Sequence, residues 1–358
     1  MTSPTQRDLV VVGGSAGGVE ALKRFVTALP ADLPATVCVT LHLASGSTSL
    51  LPSILARRAA VRVRAAEDGA QLEHGVVYVS QPDTHLVVVD DHVMLGTGTR
   101  ENGNRPSLDV LMRSAAVARG PRVVGAVLTG MLDDGSAGLA RVARYGGVAL
   151  VQDPDEAEFR PMPRNALAST PLARALPLDA LVQEVVRLVS ENPGTGPDVS
   201  GPERERDEAE VRGALGPSSA LPDGNTIGLP TPYSCPDCGG VLNSVDELGL
   251  LRLRCRVGHA FSADALMPSQ GDTIADALWT ALRALDERRE TAERLSSQAD
   301  GTGRAWSRAH FRHRAEQARR SANVLREMLA EHAYAPRPGE EPGQVATGHR
   351  VRRSSSRM

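Results

Sequence analysis

Aromatic residues and cysteines are scarce in this chain of 358 residues. Aromatic side chains make up 3% of the sequence, so a hydrophobic core has to be built from Val, Leu and Ala. The cysteines are Cys38, Cys235, Cys238 and Cys255, and the last three lie close together in the chain. This usage is typical of a cytosolic protein with a metal site and argues against a secreted disulfide framework.

Other absences limit the partners of the chain. The net charge of -3 provides no basis for whole-chain binding to nucleic acid or to an anionic membrane. No apolar run approaches the roughly 20 residues of a membrane span, and the N-terminus has no signal-peptide core. We therefore expect a cytoplasmic protein without membrane insertion and without a nucleic-acid partner. Its length is sufficient for two domains.

Apolar runs alternate with helical stretches from about residue 8 to about residue 190. This alternation predicts an α/β fold, a doubly wound and mainly parallel sheet with an antiparallel edge hairpin. The predicted strands are Leu9–Val12, Thr36–Leu41, Val76–Ser80, His85–Val89, His92–Leu95, Val123–Leu128 and Gly147–Val151, of which the third, fourth and fifth form the hairpin excursion. The predicted helices are Val19–Ala28, Ser49–Arg58, Ser107–Arg119, Ser136–Tyr145 and Leu178–Ser190.

Residues 10–18 read VVVGGSAGG, which predicts a buried strand that ends in a glycine-rich turn with Ser15 at its apex. Glycines allow a sharp turn and a close approach of the backbone to a ligand. A helix follows directly, and the N-terminus of a helix favours negative charge. The turn can therefore present a serine nucleophile beside an oxyanion site, or it can hold a phosphate.

Two functional motifs and one structural interpretation compete for this turn. Gly13–Gly17 fits the G-x-S-x-G nucleophile elbow. The dinucleotide motif G-x-G-x-x-G fits less well, because Ser15 replaces its second glycine and His42 ends the next strand where an acidic residue should hold the ribose. The third interpretation is a tight turn that only happens to contain serine.

Residues suited to serine catalysis follow three of the predicted strands. Ser15 follows the first strand, His42 ends the second, and Asp133 and Asp134 follow Val123–Leu128. The carboxyl ends of parallel strands meet at one edge of a sheet, where clefts form. An activated serine needs a base and a third group that orients the base. The order Ser, His, Asp differs from that of α/β-hydrolases and argues against that fold.

These motifs resemble the catalytic domain of the CheB family, the bacterial chemoreceptor protein-glutamate methylesterases. The resemblance covers roughly residues 8 to 190. It rests on an ordered set of segments: Gly14–Gly18, His42, the Thr129–Gly135 loop, Glu67–Gly69, Gln81–Leu86, Arg105–Asp109 and Pro161–Pro163.

The resemblance implies a role for each matching residue. Ser15 is the expected nucleophile, His42 the general base and Asp134 the aspartate that orients the histidine. The backbone N–H groups of Ala16 and Met131 are expected to form the oxyanion hole. The implied reaction is hydrolysis of glutamyl methyl esters on a methylated chemoreceptor or a related signalling protein, with glutamine deamidation as a second activity and no cofactor for catalysis.

The chain departs from the family pattern at two points, and two further residues have more than one possible role. The family's usual receiver domain is missing before the first strand, so we expect a regulator acting in trans. Leu132 replaces a residue that is usually glycine in the aspartate loop. His85 and Arg105 either line the cleft or have structural roles.

A Cys/His pattern near the C-terminus predicts a metal site. Cys235 and Cys238 form a C-x-x-C pair, and Cys255 and His259 follow with three residues between them. Three thiolates and one imidazole satisfy tetrahedral zinc without an open position, which indicates a structural zinc ribbon. A redox role for the C-x-x-C pair is weaker, because no βαβ pattern surrounds it. Arg252, Arg254 and Arg256 are expected to form a solvated basic face or a protein-docking surface.

The predicted domain boundaries follow composition. They comprise a catalytic domain (1–191), a flexible linker rich in Pro, Gly, Ser and charge (192–226), a zinc ribbon (227–268), an antiparallel helix pair (269–335) and a disordered basic tail (336–358). The expected apolar stripe of the helix pair consists of Trp279, Leu282, Leu285, Leu295, Val324, Leu325 and Leu329.

Two alternatives to an esterase remain open. The chain could be a catalytically silent esterase-fold module that acts by binding within a signalling assembly. Alternatively, its glycine turn could bind a nucleotide, although His42 stands where a ribose-binding acid is needed.

Overall fold

The computed structural model describes residues 6–42, 49–216, 228–247, 249–301 and 304–334. The chain forms two compact units, residues 1–270 and residues 271–358. The predicted basic tail, 336–358, and the last part of the predicted linker, 217–226, lie outside the described residues. Among the described residues, no helix is both long and apolar enough to cross a membrane.

A parallel sheet of seven strands forms the centre of the first unit, in the order β10-β9-β8-β1-β2-β5-β3. Strand β1 lies between β2 and β8, so the chain order reverses at β1 and creates a cleft at the carboxyl ends of these strands. The strands are β1 (Leu9–Gly14), β2 (Thr36–Leu41), β3 (Arg62–Ala65), β5 (Val76–Val79), β8 (Val123–Val127), β9 (Val148–Gln152) and β10 (Arg174–Leu176).

Helices cover both faces of this sheet, as a doubly wound fold requires. Val10, Val12 and Val39 face one apolar layer, whereas Val11 and Cys38 face the other. Strands buried on both faces explain why the sequence shows continuous apolar runs here. The helices of the first unit before the ribbon are α1 (Gly18–Thr27), α2 (Leu51–Ala56), α3 (Leu108–Arg119), α4 (Ser136–Arg144), α5 (Pro161–Ser169), α6 (Leu178–Leu188) and α7 (Pro202–Leu215).

The antiparallel hairpin differs in detail from the prediction. Strands β4 (Ala70–Gln71), β6 (His85–Val89) and β7 (His92–Gly96) form a separate sheet of three strands in the order β4-β7-β6. Strand β5 was expected in the hairpin but pairs in parallel with β2 and β3 of the central sheet. Its residues are all buried, as a central strand requires.

Residues 202–215 are helical, which differs from the flexible linker predicted over 192–226. Asp207 of α7 is fully buried, accepts a hydrogen bond from the Tyr145 hydroxyl at 3.0 Å and pairs with Arg141 of α4 at 3.3 Å. Glu203 pairs with Arg144 of α4 at 2.7 Å. The charged composition that suggested a solvated linker instead forms ion pairs with α4.

The Cys/His unit is an antiparallel sheet of four strands in the order β11-β12-β13-β14. We call it the ribbon and define it as β11 (Leu229–Ser234), β12 (Val241–Glu247), β13 (Leu250–Cys255) and β14 (Ala260–Ser262). Cys235, Leu242, Leu253, Cys255, Phe261 and Leu266 form its small buried core.

Helices α8 (Ala263–Gly301) and α9 (Ala305–Tyr334) follow, and the part of α8 after residue 270 forms an antiparallel pair with α9 within the second unit. Leu282, Ala322 and Leu329 are buried between them, and Leu278, Leu285 and Leu325 pack against these residues. Trp279 and Val324 were expected in the apolar stripe but are 60% and 52% exposed. The pair therefore buries a narrower stripe than the sequence predicts.

Candidate active site

Ser15 and His42 lie side by side because the strands before them are paired. Strands β1 and β2 are parallel, and Gly14 is in register with Leu41. The next residue of each strand therefore reaches the same edge of the sheet. The Ser15 hydroxyl lies 3.0 Å from Nδ1 of His42, and both residues are partly accessible to solvent.

The turn that carries Ser15 is held on both sides. The Ser15 N–H donates to the carbonyl of Thr129 at 3.0 Å, and the Gly18 N–H donates to the carbonyl of Ser15 at 2.9 Å. Gly17 has a φ of 72°, and a Cβ there would come within 2.8 Å of the Glu158 carboxylate. Glycine is favoured at this position chiefly by the backbone conformation, because the φ lies in the left-handed region.

Asp134 completes a hydrogen-bonded chain with the other two residues. It follows β8 on the loop that leads into α4, and its Oδ2 lies 2.6 Å from Nε2 of His42. The structure therefore brings together Ser15, His42 and Asp134, the three residues that the sequence predicts for the triad. In this arrangement Nε2–H of His42 donates to Asp134, which leaves Nδ1 free to accept the proton of Ser15.

The surroundings of Asp134 were not predicted from the sequence. Asp134 is 2% exposed and lies at the N-terminus of α3, where the N–H groups of Leu108 and Asp109 donate to it at 2.7 and 3.2 Å. The Ser107 hydroxyl adds a hydrogen bond of 2.7 Å. Burial alone would raise the pKa of Asp134. The hydrogen bonds from His42, Leu108 and Ser107, together with the electrostatic attraction of His42, outweigh burial, so the pKa is lowered.

Asp134 is therefore a buried carboxylate that stays ionised. The free N–H groups and the positive end of the α3 dipole both favour that charge. The predicted helix start at Ser107 was a usable sequence signal for this arrangement. The identity of the anion at the helix end, however, depends on the packing of a loop that is distant in sequence.

His85 supports this end of the site and does not face the cleft. The residue is fully buried, its Nε2 donates to the carbonyl of Thr99 at 3.0 Å, and its Nδ1 accepts from the Ser107 N–H at 3.3 Å. Burial lowers the pKa of His85. A neutral imidazole that holds Ser107 favours the structural one of the two roles considered for His85.

The backbone beside Ser15 leaves two N–H groups available. Among the described residues, neither the Ala16 N–H nor the Met131 N–H donates a backbone hydrogen bond. A Cβ on Gly130 would come within 3.0 Å of the Ser15 Cβ and within 2.3 Å of the Met162 sulfur, so Gly130 lies directly against the serine. The Thr129 hydroxyl joins the two segments through a 3.1 Å bond to the carbonyl of Ala16.

Leu132 occupies a position that favours glycine. Its φ is 59°, in the left-handed region that side chains with a Cβ rarely adopt. This conformation gives a physical reason for the glycine that is usual there in the family the sequence resembles. The loop is retained despite the strain, since the Asn165 amide holds the carbonyl of Leu132 at 3.0 Å.

The ribbon contacts the acid end of the site, which we define as Asp134 together with the residues that hydrogen-bond to it. The sequence did not predict this contact. Arg252 of β13 is 4% exposed and pairs with Asp109 at 3.0 Å and with Glu101. Arg254 pairs with Glu210 of α7 at 2.9 Å. The expectation of a solvated basic face or a free docking surface is therefore wrong for Arg252, because its charge is compensated by carboxylates within the chain.

The predicted metal ligands form one cluster in the ribbon. The ligand atoms of Cys235, Cys238, Cys255 and His259 all lie within 4.8 Å of one another. The Cys238 and Cys255 sulfurs are 3.6 Å apart, and Cys255 Sγ is 3.5 Å from His259 Nδ1. Tetrahedral zinc, with bonds of about 2.3 Å to sulfur and about 2.0 Å to nitrogen, requires about 3.8 and about 3.5 Å. The donor set and its spacing can therefore hold a metal ion.

The family model for CheB methylesterases matches residues 10–185. A protein of Leptospira interrogans is 33% identical over 186 residues, and the match covers 52% of this chain and 96% of that protein. This chain belongs to the CheB methylesterase family. The name of the Leptospira protein provisionally assigns it protein-glutamate methylesterase and protein-glutamine glutaminase activities.

Other CheB relatives match the same half of the chain. A protein-glutamate methylesterase/protein-glutamine glutaminase of Methanosarcina mazei is 35% identical over 191 residues, or 51% of this chain and 52% of that protein. The chain thus spans about half the length of this curated relative. The crystal structure of the Thermotoga maritima CheB methylesterase catalytic domain is 29% identical, with a TM-score of 0.48, and the match covers 51% of this chain and 98% of that one. The family match ends before the ribbon begins.

Proposed function

We propose that this protein is a serine esterase that removes methyl esters from glutamate side chains of a chemoreceptor or a related signalling protein. The observation that carries the proposal is the hydrogen-bonded chain from Ser15 through His42 to Asp134, with links of 3.0 and 2.6 Å. The names of the relatives support the same reaction. In this proposal residues 1–191 form the catalytic domain.

The order of events follows from the hydrogen bonds. As Ser15 Oγ attacks the ester carbonyl, its proton passes to Nδ1 of His42, which becomes a cation facing the ionised Asp134. His42 then donates this proton to the departing methoxide, and methanol leaves. Water attacks the acyl-serine in the second half of the reaction and gives its proton to His42. The products are free glutamate and regenerated Ser15.

The oxyanion of both tetrahedral intermediates would lie between the N–H groups of Ala16 and Met131. The absence of backbone acceptors for these groups among the described residues supports this role. The start of α1 at Gly18 adds a favourable dipole nearby. One such donor typically contributes about 100- to 1000-fold in turnover. The reaction requires no cofactor, and an amide in place of the ester would give glutamine deamidation with release of ammonia.

The Cys235, Cys238, Cys255 and His259 cluster is proposed to hold structural zinc. Four protein ligands leave no open position for substrate, so the metal would stabilise the ribbon and would not take part in ester hydrolysis. The cytoplasmic location and a regulator acting in trans remain predictions.

The experiment that tests the esterase proposal measures methanol release from a chemoreceptor signalling domain carrying radiolabelled glutamyl methyl esters. The wild-type protein is expected to release methanol, and Ser15→Ala to release none while remaining folded. Ammonia release from the glutamine form of the same domain tests deamidation.

Ser80→Ala is the matched control. Ser80 also follows a strand of the central sheet and is fully buried, and its hydroxyl has no hydrogen-bond partner among the described residues. This variant is expected to retain activity. A folded wild-type protein that releases no methanol, with and without cell extract to supply a regulator, would instead favour the silent interaction module.

A further inference from the structure

Asn102 connects the ribbon to the acid end of the active site. Its side-chain amide donates to Asp109 at 3.0 Å and makes a longer bond of 3.4 Å to Asp134. Its side-chain oxygen accepts the Ser262 N–H at 2.9 Å, and its backbone N–H donates to the carbonyl of Ala260 at 2.8 Å. Both partners belong to β14, so the ribbon fixes the amide that contacts the triad aspartate.

Arg252 makes a second connection from the adjacent strand. Its guanidinium bonds the same Asp109 oxygen that accepts the Asn102 amide, and it also pairs with Glu101. The other oxygen of Asp109 accepts the Gly138 N–H at 2.7 Å. Strand β13 thus reaches the hydrogen-bond network of Asp134 through one intervening carboxylate.

Three buried carboxylates lie around this point, and two buried arginines compensate them: Arg113 pairs with Glu101 at 2.6 Å, and Arg252 pairs with both Asp109 and Glu101. Glu101, Asp109 and Asp134 are 6%, 0% and 2% exposed. Burial and the charge of Asp134 raise the pKa of Asp109 above its ordinary value, whereas Arg252 opposes that rise. Without a cation, a buried carboxylate beside another carboxylate takes up a proton or moves, because an unpaired buried charge is costly. Either response disturbs the hydrogen bond from the Asn102 amide to Asp109 and therefore the position of that amide beside Asp134.

We propose that the ribbon is a positioning module for Asp134, and that Asn102 and Arg252 are the positioning residues through which it acts. This inference rests on the proposed esterase function, because the position of Asp134 affects turnover only if Ser15 and His42 carry out the reaction. The contacts that β13 and β14 make with Asp109 and Asn102 are the observations behind it. In this proposal the metal-bound Cys/His cluster holds β13 and β14 in place, and these strands hold Arg252 and Asn102 beside Asp109 and Asp134. The ribbon would therefore affect turnover.

The first test compares two arginines of the same strand. Arg252→Met removes the charge next to Asp109, whereas Arg254→Met removes the ion pair of a neighbouring arginine with Glu210 of α7 and leaves the contacts of Asp109 in place. Arg252→Lys keeps the charge, and Asn102→Gly removes the amide while keeping a backbone φ of 52° accessible.

The first readout is the rate at which a fluorophosphonate ester labels Ser15. The Ser15 oxygen forms a bond to phosphorus, the P–F bond breaks, fluoride leaves and the serine proton passes to His42. This rate reports activation of the serine without any protein substrate. Arg252→Met and Asn102→Gly are expected to label at least about tenfold more slowly, since a small misplacement can cost up to about 100-fold. Arg252→Lys should recover part of the rate, and Arg254→Met should label like the wild type.

The second readout does not depend on activity. The N–H groups of Leu108 and Asp109 donate to Asp134, so their amide hydrogen exchange reports whether that carboxylate is in place. Exchange is expected to accelerate in Arg252→Met and Asn102→Gly but not in Arg254→Met. On the methylated receptor domain, kcat should fall by the labelling factor with KM near the wild-type value.

The third test removes metal from the full chain with a strong chelator, with zinc content measured before and after. Zinc-free wild type should label slowly and show fast exchange at Leu108 and Asp109, and added zinc should restore both. In the double variant Arg252→Met/Asn102→Gly, zinc removal should have little further effect, because both connections from the ribbon are already broken.

Equal labelling and exchange for Arg252→Met and Arg254→Met would overturn the inference, as would zinc-free protein with wild-type labelling and exchange. Failure of the proposed function has a different signature, in which Ser15 is labelled but no methanol is released. If Ser15 is not labelled at all, the exchange measurement alone decides, and unchanged exchange at Leu108 and Asp109 overturns the inference.

Discussion

The two ends of the candidate active site are built differently. Ser15 and His42 are partly accessible, and each directly follows a strand of the central sheet, so their position depends on the pairing of β1 with β2. Asp134 is buried and receives hydrogen bonds from His42, Ser107, Leu108, Asp109 and Asn102. The nucleophile end depends on local strand geometry, whereas the acid end depends on segments that are far apart in the chain.

This difference has a functional meaning. A nucleophile must be reached by substrate, which limits how many protein groups can surround it. A carboxylate that orients a histidine needs no access, and burial strengthens its hydrogen bonds. The acid end is therefore where a distant part of the chain, here the ribbon, can influence catalysis without blocking the cleft.

The strongest test of the acid end replaces Asp134 by Asn. The amide keeps the shape, but it cannot stabilise the cationic His42 and it favours the wrong ring tautomer. We expect kcat to fall by about 10⁴-fold, the loss typical of this substitution in a serine triad. The measurement is methanol release under saturating substrate. A fall of less than tenfold would show that Asp134 does not orient the base.

Asp133→Asn tests the neighbouring carboxyl, which has a different role. Burial raises the pKa of Asp133 to about 6, against about 3.9 for an unfolded aspartate. The folded state therefore binds this proton more tightly, and the free energy of unfolding falls as pH rises from about 4 to about 6.

Asparagine removes that dependence and still accepts the Ser262 hydroxyl, which lies 2.8 Å from the Asp133 carboxylate. We expect Asp133→Asn to be more stable at pH 7 by about 1 to 2 kcal/mol, with a smaller difference at pH 4.5. Urea unfolding at both pH values measures this. Lower stability at pH 7 would contradict the prediction and would show that the carboxylate charge is needed.

Ser107→Ala removes one of the hydrogen bonds to Asp134. The hydroxyl helps to lower the pKa of Asp134, and a hydrogen bond to a charged group contributes about 1.5 to 3 kcal/mol. We expect kcat to fall by about tenfold, with little change in KM. The control is Ser114→Ala, since Ser114 is a buried serine within α3 that accepts a hydrogen bond from the Val88 N–H and does not contact Asp134. Similar losses in the two variants would show a general effect of disturbing α3.

Leu132→Gly is expected to have the smallest effect. It removes the strain of a φ of 59°, and this gain is offset by the greater freedom of glycine in the unfolded chain. The free energy of unfolding should rise by no more than about 1 kcal/mol, without loss of esterase activity. Thermal unfolding measures the change. A clear loss of stability would show that contacts of the Leu132 side chain outweigh the backbone strain.

The residues of the site differ in how well the sequence predicted them. Ser15, His42 and the pair Asp133 and Asp134 could be selected because each follows an apolar run, and parallel strands bring such positions to one edge. The choice of Asp134 over Asp133 came from the family resemblance. Asn102 and Arg252 could not be selected in this way, since neither follows a strand of the central sheet. Residues 202–215 were misjudged for a related reason: their charges suggest solvent, but their partners lie on α4.

The sequence by itself determined the parallel α/β architecture, the glycine turn around Ser15 and the spacing of the Cys/His cluster. These features depend on hydrophobic periodicity, backbone freedom and ligand chemistry, all of which act over a few residues. Only the tertiary structure decided that the charge of Arg252 lies beside Asp109 and that the amide of Asn102 joins β14 to Asp134. The pairing of buried charges depends on which surfaces meet, and no local pattern encodes that meeting.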